Sequence, residues 1–153
     1  MKKTIIALAA LAFMAWGCSS SDDDGKASEK KSLLTQGTSE RPTWVMPNFD
    51  DYEQTMFVRV QLQDTLQSYA SDQDMLCATI DKDVCGVANA KLLEDQWVFD
   101  IHIGSNDTGK DITLLYYCDK IRRIFTIEWG KFDTATPPTG EGGFYQPTFI
   151  PND

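Results

Sequence analysis

Residues 75–88 read "MLCATIDKDVCGVA". Two short apolar runs flank a polar centre, the pattern of two strands joined by a tight turn. With Asp81-Lys82 as a two-residue turn, Ile80 faces Asp83, Ala78 faces Cys85 and Cys77 faces Gly86. Side chains alternate between faces along a strand, so Cys77 and Cys85 then point to opposite sides. With a three-residue turn, Asp81 to Asp83, the cysteines share a face as a diagonal pair about 7–8 Å apart. A disulfide needs Cβ atoms about 3.5–4.5 Å apart, so neither register bridges the hairpin.

The same alternation extends in both directions. "QTMFVRVQLQ" (54–63) sets Met56, Val58, Val60 and Leu62 on one face. "QWVFDIHIG" (96–104), "DITLLYYC" (111–118) and "RRIFTIEW" (122–129) read as further strands, and "SNDTGK" (105–110) as a turn-rich loop. Helix fits only "DTLQSYASD" and "AKLLEDQ", at two turns or fewer each. Short strands at regular spacing predict an all-β fold, an immunoglobulin-like antiparallel β-sandwich over residues 43–153.

Cys118 shares its strand's more apolar face with Ile112, Leu114 and Tyr116, and in the two-residue register Cys85 joins Leu76, Ala78, Ile80 and Val87. A Cys85–Cys118 disulfide and a set of buried free thiols both stay open.

The chain opens with "MKKTIIALAALAFMAWGC", in which Lys2 and Lys3 precede an apolar run too short to span a bilayer as a stable helix. Residues 1–17 read as a signal peptide. "AWGC" resembles a bacterial lipobox, which makes Cys18 the lipidation site and an N-terminal lipid the membrane anchor. Residues 18–42 contain no aromatic residue and only two leucines, too little to offset the entropy of ordering, and read as a flexible tether. Removal of Lys2 and Lys3 from the 14 basic residues leaves 12 against 23 acidic ones, a net charge of −11. Such a surface repels a phosphate backbone, so nucleic acid is not an expected partner.

Chemistry is sparse. His102 is the only histidine, there is no Gly-x-Ser-x-Gly elbow, and four zinc ligands at recognised spacing are lacking. "DKDVCG" departs from the calcium-loop pattern at Cys85, and Leu92 stands where a closing glutamate belongs. An acidic loop site from Asp72, Asp74 and Asp50 or Asp51 stays open. No catalytic residue, metal or cofactor is assigned. Trp44 and Tyr145, in irregular stretches flanked by Pro and Gly, are the candidate ligand contacts.

"TWVMPNFDDYEQTMFVRVQL", "DMLCATIDKDVCGVA", "TLLYYCDKIRRIFTI" and "FYQPTF", spread over residues 43–149, together resemble a small module of Bacteroidetes exported proteins. The acidic cluster Asp22–Asp24 after Cys18 resembles the surface-export signal of lipoproteins from these bacteria. The resemblance implies a non-catalytic β-sandwich on an outer-membrane, cell-surface lipoprotein. "DTL" and "DTA" resemble the O-glycosylation signal of the same bacteria, at Thr65 and Thr134. Two functions are expected in competition: binding of a glycan or host ligand, or an accessory role in an outer-membrane protein assembly.

Overall fold

The computed structural model describes residues 39–151. Its elements are β1 (Gln54–Gln61), a single helical turn α1 (Asp64–Gln67), β2 (Met75–Ile80), β3 (Asp83–Asn89) and β4 (Lys91–Leu93). They continue with β5 (Gln96–Ser105), β6 (Asp111–Cys118), β7 (Arg123–Lys131) and β8 (Ile150–Pro151). Two antiparallel sheets form, one ordered β1-β5-β4 and the other β3-β2-β6-β7-β8, so the chain is an all-β sandwich. The expected signal peptide (1–17), Cys18 and the expected tether up to residue 38 lie outside the described residues.

Alternation built the core. Met56, Val58, Val60 and Leu62 meet Phe99, Ile101 and Ile103 from β5 and Leu76, Ala78, Ile112, Leu114, Tyr116 and Phe125 from the other sheet. At its polar margin Asp74 is fully buried, accepting hydrogen bonds from Tyr116 Oη (2.6 Å), the Asp119 amide (2.9 Å) and Ser71 Oγ (2.9 Å).

The opening hairpin turns on two residues. Asp81 and Lys82 both adopt positive φ (52° and 74°), as a type I′ turn requires, and Ile80 pairs with Asp83. Past Thr79↔Val84 the register slips, so that Ala78 faces Gly86 and Cys77 faces Val87. Cys85 is the extra residue of a β-bulge. The sequence placed Val87 beside Cys85; the bulge instead sets Val87 opposite Cys77, on the face turned away from the core. A bulge bends its strand, and here Gly86 comes so close to β5 that a Cβ on it would lie 2.3 Å from the His102 carbonyl oxygen.

Both lateral margins of the sandwich are crossed by chain that changes sheets. On one side β3 passes into β4 through Ala90, whose amide donates to the Asp74 carbonyl (3.1 Å). On the other, residues 144–151 leave β1 and end on β7. Tyr145 donates to the Arg59 carbonyl and accepts from the Gln61 amide, a parallel bridge beside Val60. Gln63 Oε1 then accepts from the Phe149 amide, and Ile150 pairs with Thr126.

Two expectations are corrected. "AKLLEDQ" is β4 and the turn into β5, with Glu94 and Asp95 at φ 48° and 64°, so hairpin pairing overrides the helix propensity of Ala, Lys and Leu. The tether boundary also shifts, because residues 39–42 already engage the domain. The Ser39 amide donates to the Arg122 carbonyl (2.6 Å), and Arg41 pairs with Asp119 (3.0 Å) and sits over the Tyr117 ring. Tyr117 points away from the core, so this segment straps the outer face of the larger sheet. The far end of the strap is fixed by Tyr52, whose hydroxyl donates to the Val84 carbonyl (3.4 Å).

Cys77, Cys85 and Cys118 are free and buried. Cys85 and Cys118 both belong to the core, but Cys85 donates to the Ala78 carbonyl and Cys118 to that of Tyr69. Ala78 pairs with Leu114, four residues along β6 from Cys118. At about 3.3 Å per residue that is about 13 Å, beyond the roughly 7 Å Cα limit of a disulfide. Burial pushes the thiols up to about 12 for Cys77 and Cys85 and about 11 for Cys118. All three are therefore protonated and shielded at neutral pH. Alkylation followed by site-resolved mass spectrometry should leave them unmodified in the folded chain and modify all three in denaturant. Fast labelling of any of them in native protein would contradict this packing.

Candidate functional site

Residues 144–151, the switch segment that passes from one sheet to the other, make a cleft where they leave β1. The tight turn ahead of it closes with the Gly143 amide donating to the Gly140 carbonyl (3.2 Å). Gly142 and Gly143 take φ of 67° and 82°, which a side chain would strain. The turn delivers Phe144 and Tyr145 to the edge of the smaller sheet, where both border the same cleft. With Gln61, Thr139, Gly140 and Gln146 they line an open cleft of about 560 Å³.

Each wall is supported from behind. Tyr145 is half-buried and its ring packs on Trp129, centroids 5.4 Å apart and 36° inclined. Burial raises its phenol pKa. The Arg59 guanidinium lies 5.8 Å over the Phe144 ring. Arg59 is held by a bidentate pair with Asp100 (2.6 and 2.9 Å), and Lys91 joins from β4. The Arg59 hydrogen bonds, ahead of those from Lys91, keep the Asp100 carboxyl below the usual range. Planar, paired and stacked, Arg59 is a fixed backing for Phe144 rather than a free cation. Gln61 Nε2 donates to Gln96 Oε1 (3.2 Å) and Gln146 Nε2 to the Leu62 carbonyl (3.1 Å), which leaves each amide oxygen as an acceptor.

Further along the same outer face, exposed Phe57 packs on His102 (5.0 Å), and His102 on Phe49 (6.0 Å). Two other clefts carry charge. One, of about 270 Å³, is lined by Tyr52, Asp81, Asp83, Asp107 and Lys110, with Lys110 bound to Asp81 (3.1 Å). The other, of about 350 Å³, holds Asp111, Glu128 and Trp129 at the β6–β7 bulge.

The structure separates the residues that the sequence singled out. Trp44 is half-buried in the strap, between the Arg41 and Tyr52 anchors, whereas Tyr145 belongs to the switch segment beside β1. Thr65 is half-buried with its hydroxyl accepting from Gln63 Nε2 (2.9 Å), and Thr134 is exposed. Asp74 is enclosed by its own hydrogen bonds, while the Asp51 carbonyl lies near Asn106 at another edge, so no acidic loop site assembles from them. Among the described residues no group of three or more His, Cys, Asp or Glu could hold a metal ion. Phe144, Gln61 and Gln146 were not read from the sequence. The one local signal was "GEGGF", a flexible turn that delivers an aromatic residue.

Fold and cleft thus define an all-β sandwich with an aromatic and amide-lined cleft at a sheet edge. No protein-family model matches the chain, and comparison with curated proteins and with solved structures finds no significant match.

Proposed function

We propose that the chain is a non-catalytic, outer-membrane lipoprotein, anchored through Cys18 and exposed at the cell surface, whose sandwich binds a glycan or a host ligand. The lipobox-like "AWGC" and the acidic cluster behind it support the anchor and the exposure. One observation carries the binding role: the β1-edge cleft, where Phe144, Tyr145 and Gln146 of one segment meet Gln61 of β1. Its volume of about 560 Å³ falls within the roughly 300–1,000 Å³ of small-molecule sites, which combine aromatic walls with few placed polar groups.

The test is a binding panel of glycans and host matrix proteins against the native lipoprotein and a Phe144→Ala/Tyr145→Ala double variant. Binding by the native chain and its loss in a folded double variant are expected. Unchanged binding in that variant would remove both residues from the site. The accessory-subunit reading draws on apolar Leu92 and Ile150, exposed on the edge strands β4 and β8. Both strands are short, with three and two residues, a poor template for strand addition. Crosslinking in intact cells would favour that reading if it captured a stoichiometric outer-membrane protein.

A further inference from the structure

The three clefts differ in charge, and the difference indicates what the β1-edge cleft accepts. The cleft beside Tyr52 is walled by three carboxylates and Lys110, and the one beside Trp129 contains Asp111 and Glu128. Among the described side chains, those lining the β1-edge cleft, Gln61, Thr139, Phe144, Tyr145 and Gln146, include no carboxylate, ammonium or guanidinium. Arg59, the cation stacked on the Phe144 face, already engages both oxygens of Asp100. A charged ligand would leave water without a counter-charge to meet. An anionic one would also approach a chain of net charge −9.

What the cleft does offer is specific. Phe144 and Tyr145 present partly open aromatic surface, the complement of a ring with a C–H-rich face. The Gln61 and Gln146 amide oxygens accept hydrogen bonds, and the exposed Thr139 hydroxyl donates or accepts. One flat apolar face, several hydroxyl donors and no charge describe a pyranose ring.

We infer that the β1-edge cleft binds an uncharged pyranoside chain, stacked on Phe144 and Tyr145 and read through its hydroxyls by Gln61, Gln146 and Thr139. The inference rests on the proposed binding role and narrows it to one class of ligand. Arg59 is a positioning residue in this scheme, because it braces Phe144 without touching the sugar.

The full-length chain would be titrated by calorimetry with neutral gluco-, manno-, galacto- and xylo-oligosaccharides, with acidic glycans such as polygalacturonate and sialyllactose, and with host matrix proteins. The expected result is saturable binding of a neutral oligosaccharide whose affinity is the same at low and high salt. Phe144→Ala and Gln61→Ala should each weaken it at least about tenfold, about 1.4 kcal/mol, with circular dichroism unchanged. Having two variants on different elements protects the test against misfolding of either. Salt-sensitive binding of an acidic glycan, or of a host protein indifferent to both variants, would overturn the inference while sparing the wider binding role. No binding across the whole panel would overturn both.

Discussion

Gly86→Ala is expected to destabilise the domain by about 3 kcal/mol or more, the upper range for inserting a methyl group into a packed interior. The added Cβ would lie 2.3 Å from the His102 carbonyl oxygen and 3.3 Å from its carbon. These are backbone atoms of β5, the strand hydrogen-bonded on one side to β1 and on the other to β4. No rotamer change can relieve the clash, so β3 must lift from β5, and the bulge at Cys85 that brings them together must reopen. Gly104→Ala provides the contrast. Its Cβ would meet the Tyr52 ring at 2.2 Å, but a side chain can swing aside at the cost of its hydrogen bond to Val84. A smaller loss of about 1–2 kcal/mol is expected there, as for one buried hydrogen bond and some lost packing. Urea unfolding of the two variants should show both midpoints lowered, Gly86→Ala much the further, with similar slopes. A Gly86→Ala midpoint equal to the native one would mean that β3 and β5 do not approach as described.

That contact also marks where sequence reading stopped. Alternation in β1, β5 and β6 determined which residues face the core, because period two leaves one assignment of faces once a core exists, although Val98 and Tyr117 on the opposite faces are buried as well. A tight turn within Asp81 to Asp83 was legible, but two and three residues both fitted, and only the pairing of Ile80 with Asp83 separates them. The bulge was not legible: Cys85-Gly86 reads as continuous strand, and only the approach of β5, distant in sequence, makes glycine necessary there. β4 was hidden because Ala, Lys and Leu favour helix, and three residues are too few to show alternation. The strap and the switch segment depend on single long-range hydrogen bonds, Ser39 to Arg122 and Tyr145 to Arg59, that leave no periodic trace. The cleft inherits this illegibility. Pro and Gly around Tyr145 marked an irregular stretch, but they did not show that its ring would lean on Trp129, or that Phe144 beside it would stack under Arg59.

Asp74→Ala is expected to cost about 3–5 kcal/mol, because three donors would lose one acceptor in a site closed to water. Each buried donor left unsatisfied costs about 1–3 kcal/mol, and here the Tyr116 hydroxyl, the Asp119 amide and the Ser71 hydroxyl all depend on the same carboxylate. Those bonds join the loop before β2 to β6 and to the turn leaving it, so the loss should appear as global unfolding rather than local fraying. Asp74→Asn separates the hydrogen bonds from the charge. Its amide oxygen can still accept, and Tyr116 can turn its hydroxyl to receive the new N–H, so a loss of about 1 kcal/mol or less is expected. The charge has its own signature. Burial raises the Asp74 pKa, and the hydrogen bonds from Tyr116, Asp119 and Ser71 only partly oppose it. The folded chain therefore holds its proton to higher pH than the unfolded chain, whose value is near 3.8. Between those two values the native state binds more protons, and stability falls as pH rises. The contribution is complete below the unfolded value and is lost as pH climbs through the folded one. Asp100 works in the other direction and in another window: its pKa is lowered, so its contribution is present above 3.8 and disappears only as pH falls further. Chemical denaturation across pH should therefore show native stability declining as pH rises above 3.8, and the decline should be absent in Asp74→Asn. Parallel curves for the two proteins would mean that Asp74 is ionised in the fold as readily as in water, and that burial does not control it.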